Sequence, residues 1–217
     1  MLGKCAKYLR ISVNYLPNSI LCSNFVAVMC MRAIRTMIQL RPIQTSDTDY
    51  AFVEQLLVSA FPEAERRALE AQRQNVDSNM LFHCMLAEED DRPVGLFNYW
   101  DFGAFCYCEH FAVDPALRNR GCGSEILRTF FQTMHKPLVL EVEIPDNEVS
   151  KRRVAFYQRN GLSLWEGYEY VQPPFRTGGE SLPMLLMSSE GLSSETDFWE
   201  VKRTLYREVY QVKDMTF

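Results

Sequence analysis

The segment from Phe111 to Ser124 constrains this chain more than any other. An apolar strand-like run, Phe111-Ala112-Val113, breaks at Asp114-Pro115 and passes through Arg118-Asn119-Arg120-Gly121-Cys122-Gly123-Ser124 into a helix. Ile126, Leu127, Phe130, Phe131 and Met134 recur along one side of that helix. A helix start carries unpaired N–H groups and the positive end of the macrodipole, and glycine lets a backbone come close to an anion. Two glycines, two arginines and a serine at this point therefore read as a seat for a pyrophosphate. The loop lacks the lysine-serine/threonine ending of a P-loop and the spacing of G-x-G-x-x-G. Its plain alternative is a glycine turn before an amphipathic helix, with both arginines in solvent.

From Met37 onward, strand-like and helix-like segments alternate. Ile38 to Ile43 reads as a strand, and Ser46-Asp47-Thr48-Asp49 offers N-cap chemistry for a helix through Phe52, Leu56, Leu57 and Phe61, with Pro62 at its end. Glu63 to Gln74 reads as a second helix and Asn75 to Asn79 as a polar break. Phe82 to Ala87, Pro93 to Asp101 and Phe105 to Val113 follow at the spacing of an antiparallel meander. Beyond the glycine loop and its helix come a strand over Leu138 to Ile144, a helix over Asp146 to Asn160 stopped by Gly161, and strand-like Leu162 to Tyr170. After a Pro173-Pro174 turn and strand-like Leu182 to Met187, the capping-box pattern Ser194-Glu195-Thr196-Asp197 opens a last helix with Phe198, Val201, Leu205 and Val209 inward. This order predicts an α/β (mixed α+β) fold: a central mixed, mostly antiparallel sheet flanked by helices, with an extra C-terminal helix.

Residues 1–36 read differently. An apolar stretch from Ile20 to Met31 follows Lys4, Lys7 and Arg10, too short for the ~20 apolar residues that cross a bilayer. We expect these residues to be a disordered or mis-started extension, with a secretory leader or an ordered arm as alternatives, and residues 37–217 to form the domain. A net charge of -5 argues against a nucleic-acid surface spread over the protein, and no membrane contact is expected. The seven cysteines include no C-x-x-C pair, so they read as thiols in a reducing, cytoplasmic setting.

Two motifs in order around a strand sharpen the picture. Arg118-x-x-Gly121-x-Gly123 and Ala155-Phe156-Tyr157-Gln158-Arg159-Asn160-Gly161-Leu162 resemble the R/Q-x-x-G-x-G/A and F-Y-x-x-x-G-F signatures of the GNAT superfamily of N-acyltransferases, with Leu162 where phenylalanine is usual. The resemblance runs roughly from Met37 to Met187. It implies acetyl-CoA as acyl donor, with Phe111, Ala112 and Val113 beside the pantetheine arm. It also implies that Arg118, Asn119, Arg120, Gly121, Cys122, Gly123 and Ser124 hold the pyrophosphate, and that the Tyr157 hydroxyl sits near the thioester sulfur as a general acid. Many relatives carry an asparagine two helical turns before that tyrosine, where this chain has Ser150.

For a general base, carboxylates inside apolar strands are the candidates, because an unpaired buried charge is costly and needs a reason. Glu109 and Glu141 rank level, ahead of Glu143. Strand alternation puts Glu109 on one face with Tyr107 and Phe111, and Glu141 with Glu143, unless a bulge intervenes. An ion pair with Arg152 or Arg153 is the plain alternative. The acidic set Glu141, Glu143, Asp146 and Glu148 reads either as an attraction for a cationic amine or as a solvated strand end. Cys106-x-Cys108-x-His110 has no evident fourth ligand, so no metal is expected. The expected activity is transfer of acetyl from acetyl-CoA to a small-molecule or peptide amine by direct attack, with Tyr170 to Phe175 and the last helix shaping the acceptor pocket. A non-catalytic acyl-CoA-binding regulatory module on the same fold is the competing reading, and a homodimer is left open.

Overall fold

Period-two alternation in the central strands sends one set of apolar side chains to each face of a sheet, so both faces need helical cover. The computed structural model describes residues 37–176 and 178–213, and the expected extension over residues 1–36 lies outside the described residues. In chain order the elements are β1 (Gln39–Pro42), α1 (Tyr50–Ala60), a helical turn (Glu63–Glu65), α2 (Leu69–Ser78), β2 (Phe82–Glu89), β3 (Arg92–Asp101) and β4 (Cys106–Val113). A second turn (Pro115–Leu117), α3 (Cys122–Met134), β5 (Leu138–Glu143), α4 (Glu148–Arg159), β6 (Leu162–Leu164), β7 (Tyr170–Gln172) and β8 (Leu182–Ser189) follow. Last are α5 (Ser194–Thr204) and a π-helical turn (Leu205–Val209).

The strands form one sheet in the order β1-β2-β3-β4-β5-β8-β6, with β7 also paired to β8. Only β4 and β5 pair in parallel, so the sheet is mixed and mostly antiparallel, as the element order predicted. One face packs Leu86, Leu96, Trp100, Tyr107 and Val139 against Leu57 of α1 and Phe198 and Val201 of α5. The other packs Phe97, Cys106, Cys108, Leu138 and Leu140 against Ile126, Leu127 and Phe130 of α3 and Val154 of α4. Burying a side chain such as Phe130 or Phe198 contributes about 1.5–3 kcal/mol, which is how the helical stripes hold the layers together.

Two irregularities make the site. In the β3–β4 register, Asn98 faces His110 and Tyr99 faces Cys108, so Glu109 is the extra residue of a bulge. The bulge resets the alternation. Glu109 stays on the Tyr107 side, bonded to Trp100, whereas Phe111 packs on the opposite face, against the simple alternation expected. His110 is turned the same way, against Phe61, and away from Cys106 and Cys108. Secondly, β4 and β5 pair only from Cys106↔Leu138 to Cys108↔Leu140, so beyond that point the two strands part.

Other segments differ from the sequence reading. The second helix begins at Leu69 rather than Glu63 and runs through the expected break to Ser78. Leu162 to Tyr170 is two short strands along one edge of β8, because residues between them leave the edge and turn at Gly167, φ 83°. The last helix is capped one residue earlier, with the Ser193 N–H donating to Asp197.

Gly95 on β3 is where the sheet tolerates no side chain: a Cβ there would lie 2.6 Å from the Ala112 carbonyl oxygen. Gly95→Ala should therefore push β3 from β4 and cost about 1–3 kcal/mol of stability. Urea unfolding measures it, and a wild-type midpoint would show that the strands relax freely.

Candidate active site

Where β4 and β5 part, a cavity of about 370 Å³ opens, lined by Cys108, Glu109, Ala112, Leu140, Glu141 and Tyr157 and, from the other side, by Phe61, Glu65 and Gln172. Glu109 and Glu141 both reach this cleft but meet opposite surroundings. Glu109 sends a buried carboxylate to the Arg67 guanidinium and accepts from Trp100 Nε1 at 2.7 Å. Its partner is thus Arg67, not the Arg152 or Arg153 considered from the sequence. Burial alone would raise the pKa of Glu109, but the Arg67 charge and the neighbouring His110 ring outweigh it and hold the carboxyl at about 2.

Among the described residues Glu141 has no ion-pair partner. Tyr210 and Tyr107 donate to its Oε2 at 2.7 and 3.0 Å, and Tyr170 donates to Oε1. Burial pushes the group up to about 7, against the three hydroxyls, which favour the charged form. A carboxylate offers about four acceptor sites, so three tyrosines leave one open toward the cleft. Glu143 instead pairs with Arg153 at 2.8 Å, Glu148 lies 3.8 Å from Lys151, and Asp146 bonds Asn147. The acidic set read from the sequence therefore does not converge. Glu65, which the sequence did not single out, joins Glu109 and Glu141 in the cleft.

A second cavity, rich in arginine, lies beside it. Its volume is about 480 Å³, and it is lined by Arg118, Asn119, the α3 start from Gly121 to Ser124, and Arg152, Arg153, Phe156 and Arg159 of α4. Gly121 caps α3 at φ 84° and, as a glycine, offers no side chain to the first-turn N–H groups. Asn119 also sits in the left-handed region, at φ 63°, which asparagine tolerates. A Cβ on Gly123 would meet the Phe156 ring at 3.1 Å, so the glycine keeps this wall close. Phe111, Val113, Arg118, Arg153 and Tyr157 line both cavities and join them.

The structure brings together Phe111, Ala112, Val113, Arg118, Asn119, Gly121, Cys122, Gly123 and Ser124 along the two cavities; Arg120 is exposed and outside their lining. Tyr157 stands at the junction, 9% exposed, and among the described residues its hydroxyl has no hydrogen-bond partner. Burial raises its pKa, so it keeps its proton at neutral pH. Ser150 is spent locally: its hydroxyl donates to the Asn147 carbonyl at 3.0 Å and accepts from the Asn147 N–H at 3.2 Å. Arg67 and Tyr210 escaped the sequence reading, and Tyr107 and Tyr170, named there for a strand face and an acceptor segment, were not joined to Glu141, because these residues are spread along the chain and meet only through the sheet. The described cysteines, Cys84, Cys106, Cys108 and Cys122, are free thiols, and no described helix is long and apolar enough to cross a membrane.

Residues 47–162 match the family model for the acetyltransferase (GNAT) family. A solved structure from Bacteroides thetaiotaomicron, assigned to the GNAT acetyltransferases, is 45% identical, covers 81% of this chain and 99% of that one, and superposes with a TM-score of 0.78. The ribosomal-protein-S18-alanine N-acetyltransferase of Escherichia coli is 18% identical over 72% of this chain and 99% of its own, with a TM-score of 0.51, a likeness of fold alone. No curated protein matches the chain.

The Glu141 surroundings predict a pH dependence of folding. A carboxyl raised from 4.5 to about 7 binds its proton more tightly in the native state, so its stabilising share is complete below about 4.5 and is lost as pH rises to about 7. Wild type should thus lose stability relative to Glu141→Gln across that window and track it above. Paired urea titrations from pH 4 to 8 measure this, and a constant difference would refute the raised value.

Proposed function

The chain belongs to the GNAT family of acetyltransferases, and from that footing we propose that it moves the acetyl group of acetyl-CoA to an amine by direct attack in a ternary complex. The observation carrying this reading is that the arginine-lined cavity and the glutamate-lined cleft meet at Tyr157. The donor's pyrophosphate suits the free N–H groups of α3 and the arginines around them, and its arm suits the exposed edge of β4 from Phe111 to Val113. Holding donor and acceptor together removes much of the entropic barrier, so no covalent acyl-enzyme is required.

In this mechanism Glu141 is the base. A group near 7 is divided between its two forms at neutral pH, where a base both is available and takes a proton effectively. Glu109, held at about 2 by Arg67, is too weak a base and has a holding role. Tyr157 gives its proton to the departing thiolate. Glu65 and Glu141, with Gln172 and Phe61 beside them, favour an acceptor that arrives as a cation, in keeping with a small-molecule or peptide amine.

Acetyl-CoA should raise the melting temperature more than a pantetheine derivative without phosphates, and Gly123→Asp should remove that difference while leaving the domain folded. Equal shifts for both ligands would contradict the pyrophosphate seat. A thiol-release assay over a mixed amine panel then tests catalysis, since a module that only binds the donor would release none. Tyr157→Phe should lower kcat by ~10²–10⁴-fold while donor affinity survives. An unchanged kcat under conditions where chemistry limits the rate would reduce Tyr157 to a packing residue.

A further inference from the structure

Arg67 makes more contacts than neutralising Glu109 requires. It follows the turn Glu63–Glu65 and is buried, 8% exposed. One guanidinium nitrogen meets the Glu109 carboxylate, and the other donates to the Val209 carbonyl at 3.0 Å. Its plane lies over the Trp100 and Phe175 rings, at 5.3 and 4.6 Å from their centroids. Val209 closes the π-helical turn that follows α5, and a helix end presents carbonyls without partners and the negative end of its dipole. A cation that donates there caps the end. The next residue is Tyr210, whose hydroxyl donates to Glu141 and whose ring packs on Phe175 at 4.9 Å. One side chain thus ties the cleft-lining turn, the β4 bulge and the C-terminal turn.

We propose that Arg67 is a positioning residue that holds the C-terminal turn so that the Tyr210 hydroxyl stays on Glu141. The claim rests on Glu141 being the base. Arginine is required because its planar fork serves two acceptors at fixed angles while its faces stack on aromatic rings; a lysine ammonium can keep the Glu109 charge paired but cannot span to Val209 in the same way.

The test is a double-mutant cycle. Around Glu141 stand the Tyr107, Tyr170 and Tyr210 hydroxyls and, further off, the Glu109 charge, while Glu65 and Arg153 line the same cleft. Loss of the Tyr210 donor removes support for the charged form, so in wild type Tyr210→Phe should move the acidic limb of kcat/KM up by roughly one pH unit. In an Arg67→Lys background the same substitution should move it by a small fraction of that, because Tyr210 has already left Glu141. Amide exchange over residues 205–213 should be faster in Arg67→Lys than in wild type. Should Arg67→Lys fail to fold, Arg67→Met with Glu109→Gln leaves no unpaired buried charge and carries the same cycle. Equal Tyr210→Phe shifts in both backgrounds, or unchanged exchange over 205–213, would overturn the proposal. If the acidic limb persists in Glu141→Gln, the base assignment fails instead, and the exchange measurement still decides the role of Arg67.

Discussion

Everything in the cleft depends on where the parallel pairing of β4 and β5 stops. The ladder ends at Cys108↔Leu140, and the next β4 residue, Glu109, is the bulge. A bulged strand bends and twists away from its neighbour, so the hydrogen-bonding edges of β4 and β5 separate instead of continuing the sheet. The freed edge of β4 from Phe111 to Val113 lies along the passage between the two cavities. The same bulge turns Glu109 and His110 to the α1 side and sends Phe111 to the other face.

That geometry carries an electrostatic consequence. Glu109 and Glu141 share the cleft with Glu65, and their surroundings drive the two apart: about 2 for Glu109 beside Arg67, about 7 for Glu141, which burial raises against its three hydroxyls. Pairs of acidic groups separated in this way are a common route to distinct roles from one side-chain type. Ionised Glu109 is locked in a structural pair, and its charge also helps keep Glu141 high. A buried ion pair adds little net stability, because desolvation offsets most of the attraction. Its value here lies in the order it imposes on the bulge and on the C-terminal turn.

The arginine-lined cavity follows different rules and is largely local. Its lining joins the start of α3, fixed by the left-handed Gly121, with the arginines of α4. The Asn147–Ser150 capping box sets where α4 begins, and hence how Phe156 and Tyr157 are presented to the junction. The start of α3 and the later turns of α4 thus line the second cavity, with Arg153 and Tyr157 at its junction with the first.

The sequence by itself determined the parts whose physics is local. The strand-loop-helix from Phe111 to Ser124 was legible because glycine, arginine and helix-start chemistry act within a few residues. The mixed sheet was legible because period-two runs and helical stripes alternate in a limited set of ways. Tertiary structure decided the rest. The tie between Glu109 and Glu141 could not be broken from the chain, because the bulge that redirects one and the tyrosines that surround the other involve residues 29 to 69 positions away from Glu141. Arg67 pairs with Glu109 across 42 positions, and Glu65 enters the cleft only because the turn after α1 folds over the parted strands. Acidity depends on distance and burial in three dimensions, so which glutamate pairs with a cation and which lies among hydroxyls belonged to the packing and not to the order of residues.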